Sequence, residues 1–170
     1  DFNLVKETIS LTNDATKVSV KGFEKNNDHM SIANATADNA TLFKTVGNTD
    51  VIDTSVVAAN KIYFVNLDHK FTKAGLNDAL AGTKFNLQEK DVFYIVATDS
   101  TDVGGNGKNS TAKIYKVEVG KDQTVAKVDQ VATVNVADKA QLSIGDFYNT
   151  PVPVENVGVA DVTVVDGTLD

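Results

Sequence analysis

The sequence predicts an all-β (mainly β) fold: an antiparallel β-sandwich or barrel-like sheet with one or two short helices. Three observations carry that expectation. Short runs rich in Val, Ile, Tyr, Phe and Thr recur along the chain, the strongest being Lys61–Leu67 (KIYFVNL) and Val92–Thr98 (VFYIVAT). Polar pieces bearing Gly, Asn and Asp separate them, as turn chemistry requires. One stretch alone, from Thr72 to Gly82, has a persuasive helical pattern.

The stretch around which the rest is organised is Asp91–Val119. Two strand-like arms, Val92–Thr98 and Thr111–Val119, flank the polar loop Asp99–Ser110, so the expected unit is a β-hairpin with a long tip. The first arm has the composition of a buried strand. The second alternates, Ile114, Lys116 and Glu118 against Tyr115, Val117 and Val119, which predicts one covered and one wet face.

Taken in order, Leu4–Leu11 and Thr16–Phe23 read as strands, with Val18, Val20 and Gly22 opposing Lys17, Ser19 and Lys21. The four residues Thr12–Ala15 between them predict a hairpin. Met30–Phe43 reads either as a weak helix or as two short strands around Ile32 and Leu42; its Asn, Thr and Asp content disfavours the helix. A turn at Gly47-Asn48 precedes a strand over VIDTSVV. Lys61–Leu67 echoes Asp91–Ala97, as two strands of one sheet would. In the helix between them Thr72 is the cap, Ala74, Leu76, Ala79 and Leu80 face inward, and Gly82 ends it. The segment Gln123–Val136 (QTVAKVDQVATVNV) comes next, then ADKAQLSIGDF, where a one-turn helix is expected near Ala137–Leu142. Pro151 and Pro153 make the next piece an edge strand or a linker, and VADVTVVDGTLD is β-like again. Residues 1–150 are thus expected to form one β-rich domain excised from a longer surface protein. Residues 151–170 would be an edge strand or a linker towards a neighbouring domain.

Composition narrows the function. With 170 residues and 42% hydrophobic content the chain has enough apolar surface for a core. A net charge of −7 argues against nucleic acid and against an anionic membrane surface, both of which want clustered cations. No apolar run reaches the roughly eighteen residues of a membrane span. Without Cys there is neither disulfide nor thiolate site. All sixteen basic residues are lysines, so the bidentate arginine clamp for phosphate or carboxylate is missing too. Lys-rich, Arg-free, Cys-free and acidic is a composition common among exported bacterial surface proteins, and by that association the expected location is extracellular, on a bacterial cell surface.

Residues Asp91 to Phe147 carry a resemblance. A β-branched and aromatic strand ends in Thr98-Asp99 and leads into a Gly/Asn/Asp loop. A strand with Ile114-Tyr115 follows, then QVATVNV (Gln130–Val136) and a closing Leu142…Asp146-Phe147. This pattern resembles β-domains of bacterial surface-layer (S-layer) proteins and of type I-secreted RTX-associated adhesins. The nonapeptide calcium repeat of RTX proteins is absent, since Gly104-Gly105-Asn106-Gly107-Lys108 lacks its ligating Asp. The resemblance implies assembly into a surface lattice, or an adhesive or spacer role, often supported by Ca²⁺.

Asp99, Asp102 and Asn106 are the candidate ligands for Ca²⁺, because hard cations want several oxygens on a turn. A solvated tip needs the same residue types for positive φ. The candidate binding loop is Asp99, Asp102, Asn106, Lys108 and Asn109. His29 and His69 each follow an aspartate, and a carboxylate beside an imidazole is a familiar way to orient a zinc ligand, yet they lack any metal-ligand spacing and are read as exposed loop histidines. There is no GxSxG elbow, and the absence of Trp removes the usual sugar-stacking platform. Three N-x-S/T sequons, at Asn34, Asn39 and Asn109, follow from an Asn- and Thr-rich composition.

The reading that results is a non-catalytic structural module of an S-layer-like protein, whose partners are other copies or domains of the same surface protein. One alternative is an adhesin domain that binds a glycan, lipopolysaccharide or a host protein through its loops. Another is a secreted metal- or haem-binding protein using His29, His69 or a tyrosine.

Overall fold

The computed structural model describes residues 8–12, 17–46, 49–67, 73–99, 109–138, 140–148 and 162–164. Its strands are β1 (Thr8–Leu11), β2 (Val18–Phe23), β3 (His29–Ile32), β4 (Thr36–Ala37), β5 (Phe43–Val46), β6 (Thr49–Ile52) and β7 (Lys61–Leu67). The helix α1 (Lys73–Leu80) follows, then β8 (Val92–Asp99), β9 (Asn109–Val119), β10 (Val125–Ala137) and β11 (Val162–Val164). Among the described residues the fold is mainly β with one short α-helix and two 3₁₀ turns, Thr54–Val56 and Ile144–Asp146.

Seven strands form one mixed sheet in the order β11-β2-β10-β9-β8-β7-β4, while β1-β3 and β5-β6 form separate two-stranded pairs. The expected central hairpin is its middle. β8 and β9 run antiparallel from Val92↔Glu118 to Asp99↔Thr111, and β10 extends the meander from β9. On either side of it the pairing turns parallel, β7 with β8 and β2 with β10. The echo between KIYFVNL and DVFYIVA is explained directly: the two are neighbouring parallel strands, Ile62 opposite Tyr94 and Val65 opposite Ala97. A parallel neighbour needs a crossover, and α1 lies in it.

Both sheet faces are covered, because β7, β8 and β9 carry apolar side chains on alternate sides. One core collects Ile62, Tyr94, Val96, Ala112 and Ile114 with Ile9 and Leu11 of β1, Met30 and Ile32 of β3, and Leu142 and Phe147. The other collects Tyr63, Phe93, Ile95, Ala97, Tyr115, Val117 and Val119 with Leu76 and Leu80 of α1, Phe85, Leu87, Leu42 and Ile52. The pairing has three irregularities, one of them between Val125 and Lys127 at the start of β10, and the other two decide which residues face the first core. In β2, Val20 and Phe23 oppose Val134 and Val136, so β2 holds one residue too many, and Gly22 takes φ +70° there. That bulge turns Phe23 inward to 1% exposure. In β10, Gln130 and Ala132 oppose Tyr115 and Ile114 and leave Val131 as the extra residue. Val128 consequently faces the second core, and Val134 and Val136 the first.

Several expectations are corrected. β1 and β2 make no hairpin: β1 pairs in parallel with β3, and β2 inserts between β10 and β11. The face of β9 expected to be wet is buried at Ile114, because β1, β3 and Leu142 close over it; Lys116 and Glu118 stay partly accessible. Ala79 is exposed, and Leu76 and Leu80 alone of α1's described side chains are buried. Thr72 lies outside the described residues, whereas Gly82 ends the helix region at φ +72° as expected. Met30–Phe43 contains no helix: β3 runs to Ile32 as expected, β4 takes Thr36–Ala37, and Leu42 lies just before β5 rather than within a strand. VIDTSVV is strand to Ile52 only, after which Asp53 caps a 3₁₀ turn by accepting from the Ser55 N–H at 3.1 Å. The one-turn helix expected near Ala137–Leu142 forms later, at Ile144–Asp146. There Ser143 and Asp146 cap each other, while Ser110 Oγ and Thr98 Oγ1 hold residues 140–142 flat along the sheet. Val162–Val164 pairs antiparallel with β2, and Pro151 and Pro153 lie outside the described residues.

Candidate functional site

The hairpin tip keeps its frame but not its ligands in view. Asp99 closes β8 opposite Thr111, and Asn109 opens β9 opposite Ala137 of β10. Asp102, Asn106 and Lys108 lie outside the described residues, as do the side chains of Asp99 and Asn109 and the whole of His69 and its neighbour Asp68. Among the described residues no three His, Asp or Glu side chains come together as a group able to hold a metal ion.

His29 starts β3 opposite Thr8 and lies against Tyr148, ring centroids 4.9 Å apart. Its Nδ1 is buried and meets no hydrogen-bond partner among the described residues. Asp28 is engaged in its own turn, where Oδ2 accepts from the Glu24 N–H at 2.8 Å.

The side chains that do converge surround a cleft of about 240 Å³, lined by Asp38, Asn39, Ala40, Thr41, Phe64, Ser143 and Ile144. Local chemistry makes it. β4 pairs with β7 over only two residues, Thr36↔Lys61 and Ala37↔Ile62. Asp38 then donates its N–H to the Ile62 carbonyl at 2.9 Å and folds its own carboxylate back onto the Ala40 N–H at 2.7 Å. This aspartate turn is the kind of side-chain competitor that ends a strand. The chain leaves the sheet, and β7 continues without it. On the far side, Phe147 packs edge-on against Phe64, centroids 5.3 Å apart, and sets Ser143 and Ile144 beside the gap. Ile144 is one of the few large apolar side chains exposed, at 39%.

Ser143 belongs to a small polar cluster. Lys25 Nζ donates to Asp146 at 2.5 Å and to Ser143 Oγ at 2.8 Å, and Asp146 also accepts from the Ser143 N–H at 2.8 Å. Asp146 is 2% exposed. A serine beside a lysine invites comparison with a nucleophile and its base, but the chemistry is wrong for it. A general base needs a free lone pair. Here the ammonium is held by a carboxylate and points its protons at both partners, so the cluster fastens the loop after β2 to the loop before Phe147.

Nearby, the Tyr63 hydroxyl donates to the Val56 carbonyl and accepts from the Ala58 N–H, each at 2.7 Å. Burial pushes its ionisation upward, the Ala58 N–H opposes this, and the Asp38 charge adds to it. No part of this site is visible in the sequence as a motif. The only local signal is Asp38-Asn39 directly after a β-like Thr-Ala pair.

Among the described residues no helix is long and apolar enough to cross a membrane. Comparison with protein-family models, with curated proteins and with solved structures finds no match for the chain.

Proposed function

We propose that the chain is a non-catalytic structural module of an exported bacterial cell-surface protein, of the S-layer kind, acting through contacts with other copies or domains of that protein. The observation that carries this reading is what the buried polar side chains do. Ser31 Oγ donates to Ser10 across β3 and β1, Thr98 accepts from the Leu142 N–H, Ser110 donates to the Ala140 carbonyl, and Asp146 holds Lys25. Each of these four joins segments distant in sequence, the use expected of a rigid spacer whose buried hydroxyls and carboxylate tie its segments together. The Arg-free, Cys-free, acidic composition agrees with it.

Copies carrying −7 charges repel, so assembly would depend on a counterion. Calcium at the aspartate-bearing tip after Asp99 is the form the resemblance implies. The test is light scattering and a thermal melt in millimolar CaCl₂ against EDTA. A ligand bound only by the native state at a hundredfold excess over its Kd adds about 2.7 kcal/mol, a rise of several degrees. A raised Tm with calcium-dependent scattering supports the reading, and a strictly monomeric, unshifted protein in calcium rejects it.

A further inference from the structure

We infer that the outer edge of β7, at Phe64 and Asn66, is a docking site for an extended, lysine-bearing peptide strand of a partner protein. The inference rests on the proposed role in protein–protein contact and says where one contact is made and with what.

The geometry follows from parity. The Asp38 N–H is donated to the Ile62 carbonyl, so Ile62 directs its backbone polar groups away from β8 and towards β4. Along a strand these directions alternate, so Tyr63 and Val65 face β8, and Phe64 and Asn66 present their N–H and C=O groups on the β4 side. β4 has already ended at Ala37, and among the described residues nothing else pairs with that edge. Two donors and two acceptors, spaced for a strand, thus lie along this edge, and the first pair, on Phe64, borders the cleft beside Asp38–Thr41.

Such a row accepts one kind of occupant, an extended backbone. Charge selects among extended backbones. Asp38 stands at the point of divergence, and among the described residues its carboxylate has no cationic partner. The chain as a whole carries 23 acidic against 16 basic residues, which favours a basic strand and opposes an identical copy. Phe64 and the exposed Ile144 supply apolar contact for alternate side chains of the incoming strand.

The test uses a labelled, end-capped octapeptide alternating valine and threonine with one central lysine, and its glutamate counterpart, in EDTA so that calcium-driven assembly is switched off. Anisotropy should show saturable binding of the lysine peptide and at least tenfold weaker binding of the glutamate peptide. Asn66→Pro removes one outward N–H without touching the β8 ladder and should abolish binding. Asp38→Asn keeps the turn acceptor but removes the charge and should erase the lysine preference. Hydrogen exchange gives a readout independent of either variant: the Phe64 and Asn66 amides should slow at least tenfold on saturation. Unchanged exchange at those amides, or binding retained by a folded Asn66→Pro protein, overturns the proposal. Sedimentation showing a peptide-free dimer with the same two amides protected overturns the choice of occupant in favour of a second copy. Failure here with intact calcium-dependent scattering would leave the structural-module reading standing, and the reverse result would remove that reading alone.

Discussion

Alkaline unfolding offers the sharpest check on the packing described. Tyr63, Tyr94 and Tyr115 are at most 1% exposed. Burial raises the ionisation of all three hydroxyls, and Tyr115 is pushed up to about 12. In the unfolded chain a phenol titrates near 10. The folded value being the higher one, the stabilisation is complete below about pH 10 and is lost as pH rises towards about 12, because the unfolded chain releases its protons first. For Tyr115 that displacement corresponds to about 2–3 kcal/mol. A typical domain has only about 5–15 kcal/mol in total. Stability from urea titrations should therefore fall steeply between about pH 10 and 12, and tyrosinate absorbance should rise together with loss of far-ultraviolet circular dichroism. Tyr115→Phe keeps the ring and removes the proton, so its decline should be shallower while lysine deprotonation stays the same. Ionisation of three or more phenols with circular dichroism unchanged would refute the enclosed placement of these rings.

Three further outcomes are expected. Gly82→Ala should cost about 1 kcal/mol, purely from the left-handed backbone, since an added Cβ meets nothing within 4 Å there; a larger loss in a urea melt would mean a contact the fold does not contain. Leu80→Ala should cost about 2–5 kcal/mol, because α1 touches the sheet through fully buried Leu76 and Leu80; a loss below about 1 kcal/mol by the same melt would detach the helix from the core. Lys25→Met and Asp146→Asn should each destabilise, with a coupling of about 1–3 kcal/mol in a double-mutant cycle; additive effects would mean the two groups do not meet.

What the sequence disclosed depended on the range of the physics. β7, β8 and β9 were legible because each is a run whose composition suits a strand whatever its neighbours do. The β7–β8 echo disclosed even a shared sheet. Partners were not legible, since the turn-forming residue types of Thr12–Ala15 favour a hairpin locally while the apolar faces of β1 and β2 are covered elsewhere, against β3 and β10. Nor was the burial of Ile114 foreseeable. It depends on a β1–β3 pair and on Leu142, and alternation within β9 says nothing about what lies over it. The bulges at Gly22 and Val131 are one-residue events that invert every later side chain, so strict period-2 counting placed Gly22 inward where Phe23 is. The tip aspartates were an expectation from residue type alone, and Asp102 and the Asp99 side chain lie outside the described residues; the cleft at Asp38 required knowing that β4 and β7 are parallel.

That cleft ties the composition to the architecture. A long strand with an unpaired edge is a hazard, and proteins protect it with charge or by covering it. Here the cover, β4, stops after two residues because the Asp38 carboxylate takes the Ala40 N–H that a longer ladder would have used differently. Among the described residues the protection that remains beyond Lys61, which bonds Thr36 on β4, is electrostatic: Asp38 at the point of divergence and a chain of net charge −7. Such protection is selective in a way that a covering strand is not. It repels a like-charged copy across roughly a Debye length, about 8 Å at physiological salt, and weakens when a divalent cation neutralises carboxylates. A lysine-bearing strand meets no such barrier. The same residue therefore both ends β4 and sets the charge of whatever completes the sheet, so Asp38→Asn should leave the turn standing while changing the company the edge keeps.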